Sequence, residues 1–196
     1  MRTQEKKPKV EISIFISIFA LLVSAVTFYW GYLKPRDLSF FSSPSVQIGR
    51  DWKSDLESIA LPITITNSGA NSSIVNYIKL VVDHPSTNRK KVFKSLYFNK
   101  LINIEGNFSP IHIPGHGSAT KSIGFYPLYN EEKKIFGERG VYTFTLYFFG
   151  VDQNDKPVGE ITFNHTPTQQ EIDQFRSKVT YSAIKDSWRN SQRITN

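Results

Sequence analysis

None of the 196 residues is cysteine, and only one is methionine. That absence removes disulfides, thiolate catalysis and cysteine-ligated metal together. A secreted animal domain of this size would often use a disulfide, so the lack of one points toward a bacterial envelope or a reducing compartment. Histidine is scarce too, at four residues. No glycine-rich phosphate loop occurs. Ser118 follows Gly115-His116-Gly117, but the Gly-x-Ser-x-Gly arrangement of a nucleophile turn is not met and no strand-turn-helix pattern surrounds it. Charge is missing from one long stretch, Ile12 to Leu33, which reads ISIFISIFALLVSAVTFYWGYL.

That run is the most informative part of the chain. At about 1.5 Å per helical residue it would span roughly 33 Å, enough for a hydrocarbon core of about 30 Å. A helix is the only single segment that satisfies its own amides in lipid. Arg2, Lys6, Lys7 and Lys9 precede it and Lys34 and Arg36 close it, so both ends carry cations able to reach the headgroups. Tyr29, Trp30 and Tyr32 form an aromatic belt at its carboxyl end. Lys9, Tyr29, Trp30, Tyr32, Lys34 and Arg36 are therefore the expected membrane-interface residues. Four basic residues before the run against two in the fifteen residues after it favour a cytoplasmic amino terminus. The competing reading is a signal peptide cleaved after Val23-Ser24-Ala25, against which the apolar and aromatic residues continue beyond Ala25.

About 160 residues follow, a length that suits one ordinary domain. The formal charge is +7, of which Arg2, Lys6, Lys7 and Lys9 against Glu5 and Glu11 supply two, leaving +5 for the rest. One compact basic cluster, Arg89-Lys90-Lys91, follows a turn-like His84-Pro85-Ser86-Thr87-Asn88. It is expected as a solvated turn, with an anionic headgroup or acidic partner as the functional alternative. Nucleic acid is not expected as a partner. Sequons at Asn71, Asn107 and Asn164 carry little weight in an Asn- and Ser-rich chain, and two of them are followed by Pro110 and Pro167.

Beyond Leu38 the dominant period is two. Leu61, Ile63 and Ile65 alternate with polar residues and stop at Asn67-Ser68-Gly69, and Ile78, Leu80 and Val82 repeat the pattern. Val92, Leu96 and Phe98, then Ile111 and Ile113, then Ala119, Ile123 and Phe125 suggest further strands, with Pro114-Gly115-His116-Gly117 as punctuation. Lys94 and Lys121 interrupt their apolar faces. Val141 to Phe149 is the strongest strand, with Tyr142, Phe144, Leu146 and Phe148 on one face. With Leu38 to Ile48 and Val158 to Phe163, seven or eight short strands follow at the spacing of an all-β sandwich.

Ile65-Thr66-Asn67-Ser68-Gly69, Pro114-Gly115-His116-Gly117-Ser118 and Gly140-Val141-Tyr142 resemble the immunoglobulin-like modules common in bacterial envelope proteins. Tyr142 is similar to the tyrosine of such sandwiches whose hydroxyl ties down the preceding corner. The resemblance covers residues 38 to 163 and lacks the inter-sheet cysteine pair. It implies an immunoglobulin-like β-sandwich serving adhesion, assembly or display, with no cofactor and no reaction.

At Thr168 the period changes. Thr168 with Glu171 fits a capping box, and Ile172, Phe175, Val179 and Ala183 fall on one helical face. Tyr181, Ile184 and Trp188 fall opposite, and Val179-Thr180-Tyr181 is not a helix-favouring triplet, which places a break near Thr180. Tyr181, Ile184, Lys185, Trp188 and Arg189 are the candidate face for a partner or the membrane surface. The candidate metal ligands are His112 and His116, with no third ligand evident nearby. Asp152, Asn154 and Asp155 could offer oxygens to calcium but suit a hairpin turn better, and Asp83 and His84, as strand neighbours, point apart.

The expected organisation is a basic tail at 1–11, a transmembrane helix (signal anchor) at 12–33, a β-sandwich domain at 34–166 and a carboxyl-terminal helix and tail at 167–196. The expected function is that of a noncatalytic envelope interaction or assembly module, with the lipid bilayer at residues 12–33 and a protein partner nearby, and no small-molecule substrate. The alternatives are a cytoplasm-facing tethered sensor or regulator and an anchored hydrolase using metal at His112 and His116.

Overall fold

The computed structural model describes residues 9–50, 55–84, 87–97, 108–128, 134–151, 156–184 and 187–189. Asp152, Asn154, Asp155, Phe98, Lys185 and the sequon at Asn107 lie outside them. Helix α1 (Lys9–Phe28) continues through a π-helical turn at Tyr29–Leu33. None of the Ile12–Leu33 run is buried against the rest of the chain. This is an amino-terminal apolar helix long enough to cross a membrane, as an anchor or a signal sequence is.

The other described residues are mostly β, in eleven strands: β1 (Leu38–Ser42), β2 (Ser45–Arg50), β3 (Glu57–Asn67), β4 (Ser73–His84), β5 (Arg89–Tyr97), β6 (Ile111–Ile113), β7 (Ser118–Pro127), β8 (Tyr142–Gly150), β9 (Gly159–His165), β10 (Tyr181–Ile184) and β11 (Ser187–Arg189). The expected single strand from Leu38 to Ile48 is divided at Ser43-Pro44, and both halves lie along the same side of β3. Every pairing is antiparallel, in the order β10-β2-β3-β7-β5-β4-β8-β9-β11, with β1 also on β3 and β6 on β4. The pairs β3 with β7 and β4 with β8 would belong to two separate layers in an open sandwich. Here β5 bonds to both β4 and β7 and bridges them.

The tail begins with the expected short helix and breaks before Thr180, but strands follow the break. The capping box forms, with Glu171 N donating to Thr168 Oγ1 and Thr168 N to Glu171 Oε2, and helix α2 runs from Gln169 to Arg176. It buries Ile172 and Phe175 and ends as Lys178 turns to φ +61°. Val179-Thr180-Tyr181 favours extended backbone, and the edges of β2 and β9 offer unpaired amides and carbonyls. The chain therefore pairs Tyr181–Ile184 with β2 and, two residues later, Ser187–Arg189 with β9. Those strands stand at opposite ends of the sheet order, so the tail nearly closes the sheet on itself.

Alternation places the core. Ile59, Leu61, Ile63 and Ile65 on β3 face Phe144, Leu146 and Phe148 on β8, and all are buried. Phe40 stacks on Phe148 at 4.2 Å between ring centroids, and Phe144 on Phe163 at 4.8 Å. Each such fully buried side chain stabilises the fold by roughly 1.5–3 kcal/mol.

β3 also sets the molecule's two ends. From Glu57 to Asn67 it spans roughly 33 Å at about 3.3 Å per residue. Asn67 lies beside the anchor, and Glu57 lies at the far end. There Glu57 is buried, accepts from Ile135 N and Phe136 N at 2.7 and 2.9 Å, and pairs with buried Lys91 at 2.8 Å. The basic cluster opens strand β5 and only part of it is solvated: Arg89, paired with Glu138 at 2.8 Å, and Lys90, paired with Asp83 at 3.3 Å, stay at the surface, whereas Lys91 is buried on Glu57.

Candidate functional site

The site begins where the apolar helix ends. In an α-helix Lys34 N would bond to Trp30 O, but in the π turn it donates to Tyr29 O at 2.8 Å, which frees the Trp30 carbonyl. His116 takes it, with Nε2 3.0 Å from Trp30 O. The carbonyl can only accept, so Nε2 carries the proton.

Four backbone hydrogen bonds then fix the domain to the helix end and to itself. Ala70 N donates to Lys34 O, Ser68 N to Asp37 O, His116 N to Gly69 O and Asn67 N to Gly117 O, at 2.8–2.9 Å. Asn67, 3% exposed, fills the space between them: its Oδ1 accepts from Asp37 N and Gly69 N, and its Nδ2 donates to the carbonyls of Asn71 and Pro114. All four hydrogen-bonding positions of the amide are used. Glycine is required at two of the contacts, since a Cβ at Gly69 would collide with the Pro35 carbonyl and one at Gly115 with the Ala70 carbonyl.

Lys34 lies across this joint. Its Nζ is 4.6 Å from the centroid of the Trp30 ring, 3.3 Å from Ser68 Oγ and 3.7 Å from Asp37 Oδ2, which also accepts from Ser68 Oγ at 2.8 Å. A crevice of about 600 Å³ opens beside it, with Trp30 and Lys34 on one wall and residues 66–68 and 116–118 on the other. Its lining carries an ammonium, an imidazole and three hydroxyls, and no carboxylate. The hydroxyls of Thr66 and Ser118, which face each other across the β3–β7 ladder, have no hydrogen-bond partner among the described residues.

Of the expected interface residues, Tyr29, Trp30 and Tyr32 are exposed at the helix end, Lys34 lies in the joint, and Arg36 is half-buried beside it. The side chain of Lys9 lies outside the description. Of the two histidines, His112 sits on the exposed face of β6, opposite Ile74, and His116 Nε2 is taken up by Trp30 O. Among the described residues no group of three or more His, Asp or Glu could hold a metal. Tyr181, Ile184, Trp188 and Arg189 are on strands, so the expected helical face is not formed. Their side chains, like Lys185, lie outside the description. Asn67 and the free hydroxyls were not singled out as site residues, although Asn67-Ser68-Gly69 had been read as a turn.

A second opening, about 280 Å³ and mostly apolar, lies where β5 leaves β4, between Tyr77, Lys79, Lys94, Phe108 and Leu128. There Ile78 N donates to Ser95 Oγ at 3.2 Å in place of a ladder carbonyl.

No protein-family model matches the chain, and no curated protein matches it. Among solved structures, the chain is similar to a Bordetella pertussis protein provisionally described as ApaA, at 10% identity and a TM-score of 0.35, covering 83% of this chain and 98% of that one. It is also similar to a Bacillus subtilis protein provisionally described as the lipoprotein YcdA, at 8% identity and a TM-score of 0.41, covering 74% of this chain and 42% of that one. At these scores neither likeness bears on function.

Proposed function

We propose that this chain is a single-pass, amino-terminally anchored, noncatalytic interaction or assembly module of the cell envelope, with its amino terminus in the cytoplasm and its β-domain outside. The observation that carries the reading is the joint between helix and domain. An apolar helix with none of its surface buried needs lipid to cover it. The bonds from His116 to Trp30 O and from Ala70 N to Lys34 O make its last turn part of the domain's base, which suits a retained anchor better than an excised leader. A domain fixed in this way meets membrane-bound partners at high effective concentration without any new contact.

The immunoglobulin-like reading of the domain is supported by the pairings of β3 with β7, β4 with β8 and β8 with β9. It is supported also by Tyr142, whose hydroxyl donates to Glu138 O at 2.9 Å, the bond expected of a tyrosine that ties down the preceding corner. The bridging by β5 and the pairing of the tail draw the sheet toward a closed barrel. A hydrolase on His112 and His116 gains no support, because among the described residues no third ligand joins them.

The test is a pair of reporters fused after Asn196, one active only outside the cytoplasm and one only inside. Activity outside is the expected result. Activity inside overturns the orientation, makes a cytoplasm-facing tethered regulator the better reading, and assigns the missing cysteines to a reducing compartment.

A further inference from the structure

We infer that the crevice between the anchor and the base of the domain binds the phosphodiester headgroup of a membrane phospholipid. This rests on the helix being a retained membrane anchor. Trp30 and Lys34 then stand at the carboxyl end of a 22-residue span, the depth at which headgroups lie. The crevice beside them is open to solvent, and its lining contains Lys34 and His116 with no carboxylate.

The donors it leaves unused suit a phosphate. An ammonium has three N–H donors. Lys34 directs one at Ser68 Oγ and lies 3.7 Å from Asp37 Oδ2, so at least one donor remains. Two free hydroxyls, on Thr66 and Ser118, line the same space. Asp37 is the carboxylate next to Lys34; it is held by Ser68 and does not line the crevice. Trp30 supplies the remaining wall, an amphipathic ring suited to the glycerol and upper acyl region. A cation with hydroxyl donors around it favours the charge-assisted contacts that phosphate oxygens accept.

The test uses the full chain, extracted in detergent, delipidated and returned to phosphatidylcholine bilayers containing a minority of phosphatidylglycerol. Lipid retained per chain is then read by native mass spectrometry. One retained phospholipid per chain is expected. Lys34→Gln should weaken retention about fivefold, and Thr66→Ala with Ser118→Ala should weaken it by a similar factor. Lys79→Gln, remote on β4, should leave it unchanged. Retention indifferent to Lys34, Thr66 and Ser118 in a chain that is membrane-embedded overturns this inference alone. Competition by glycerol 3-phosphate as effective as by lipid overturns it in favour of a soluble phosphate ligand. A chain recovered outside the membrane fraction overturns the anchor reading itself.

Discussion

The two ends of the β-domain are closed by different chemistry. At the end far from the anchor, charge and aromatic packing do the work. Glu57 and Lys91 pair in the core, the Phe136 ring packs against Tyr142, Phe144 and Phe175, and Asp55 holds Arg50, Lys134 and Lys178 together. Arg176 donates to Gly137 O and Arg139 to Gln169 Oε1, so among the described residues the cations of that end are engaged within the fold. At the anchored end, backbone amides and Asn67 close the structure, and the side chains around them are left with donors to spare. Groups consumed in holding a fold together cannot serve a ligand. The end that retains free donors is the one the anchor brings to the membrane, which is why the candidate site is placed there although the far end carries more charge.

The contrast is most sharply tested at Glu57. Glu57→Ala leaves Lys91 charged in the core and two backbone N–H groups without an acceptor. A loss of about 3–5 kcal/mol is expected, because removing one partner of a buried pair costs far more than the pair contributes. Denaturant unfolding of the full chain in detergent measures it, and a loss below about 1 kcal/mol would show that water reaches Lys91. Asn67→Ala is the matching change at the anchored end, removing four hydrogen bonds, two of them to chain segments flanking the joint. About 2–3 kcal/mol should be lost, with faster tryptic cleavage after Arg36. Equal cleavage in both variants would mean that the joint is not a local structure. Tyr142→Phe should cost about 1 kcal/mol through the lost bond to Glu138 O. Burial chiefly pushes the Tyr142 hydroxyl pKa up to about 12 from 10.0. A raised folded value gives stability that is present below about pH 10 and lost as pH rises toward 12. The Phe variant should lose less stability than the native chain between pH 9 and 11.

Much of this was legible beforehand, and the misses share a cause. Strong alternation in Leu61–Ile65 and Tyr142–Phe148 located β3 and β8, because a strand buried on one face must repeat every two residues. The charge-free run located the helix, and Thr168 with Glu171 located the start of α2. The break near Thr180 was legible too, but the face assigned to Tyr181, Ile184 and Trp188 was not formed, because their helical periodicity competes with two open sheet edges, and edges are tertiary objects that no local window contains. The same holds for Lys91: in Arg89-Lys90-Lys91 three adjacent cations look alike until β3 brings Glu57 to one of them and buries it. In the candidate site, Lys34 and Trp30 were visible as the end of a span. The partner of His116 was not, since Trp30 O is freed only by a π turn 86 positions earlier.

The smallest expected effect bears on the exposed part of the far end. The Asp55 carboxyl is held well below the usual carboxylate range, first by the Lys134 ammonium, then by the Arg50 guanidinium, with Lys178 adding to both. A depressed folded value contributes stability that is present above the unfolded value of 3.8 and is lost as pH falls below it. The native chain should therefore lose more stability than Asp55→Asn between pH 5 and pH 2, as read from thermal midpoints. Solvent reaches this carboxylate, so added salt should shrink the difference, whereas the cost of Glu57→Ala, a buried effect, should persist in salt. If the acid slope is the same in both chains, Arg50, Lys134 and Lys178 do not depend on Asp55. The far end would then hold cations free for an anionic ligand, and the contrast that places the site at the anchored end would no longer stand.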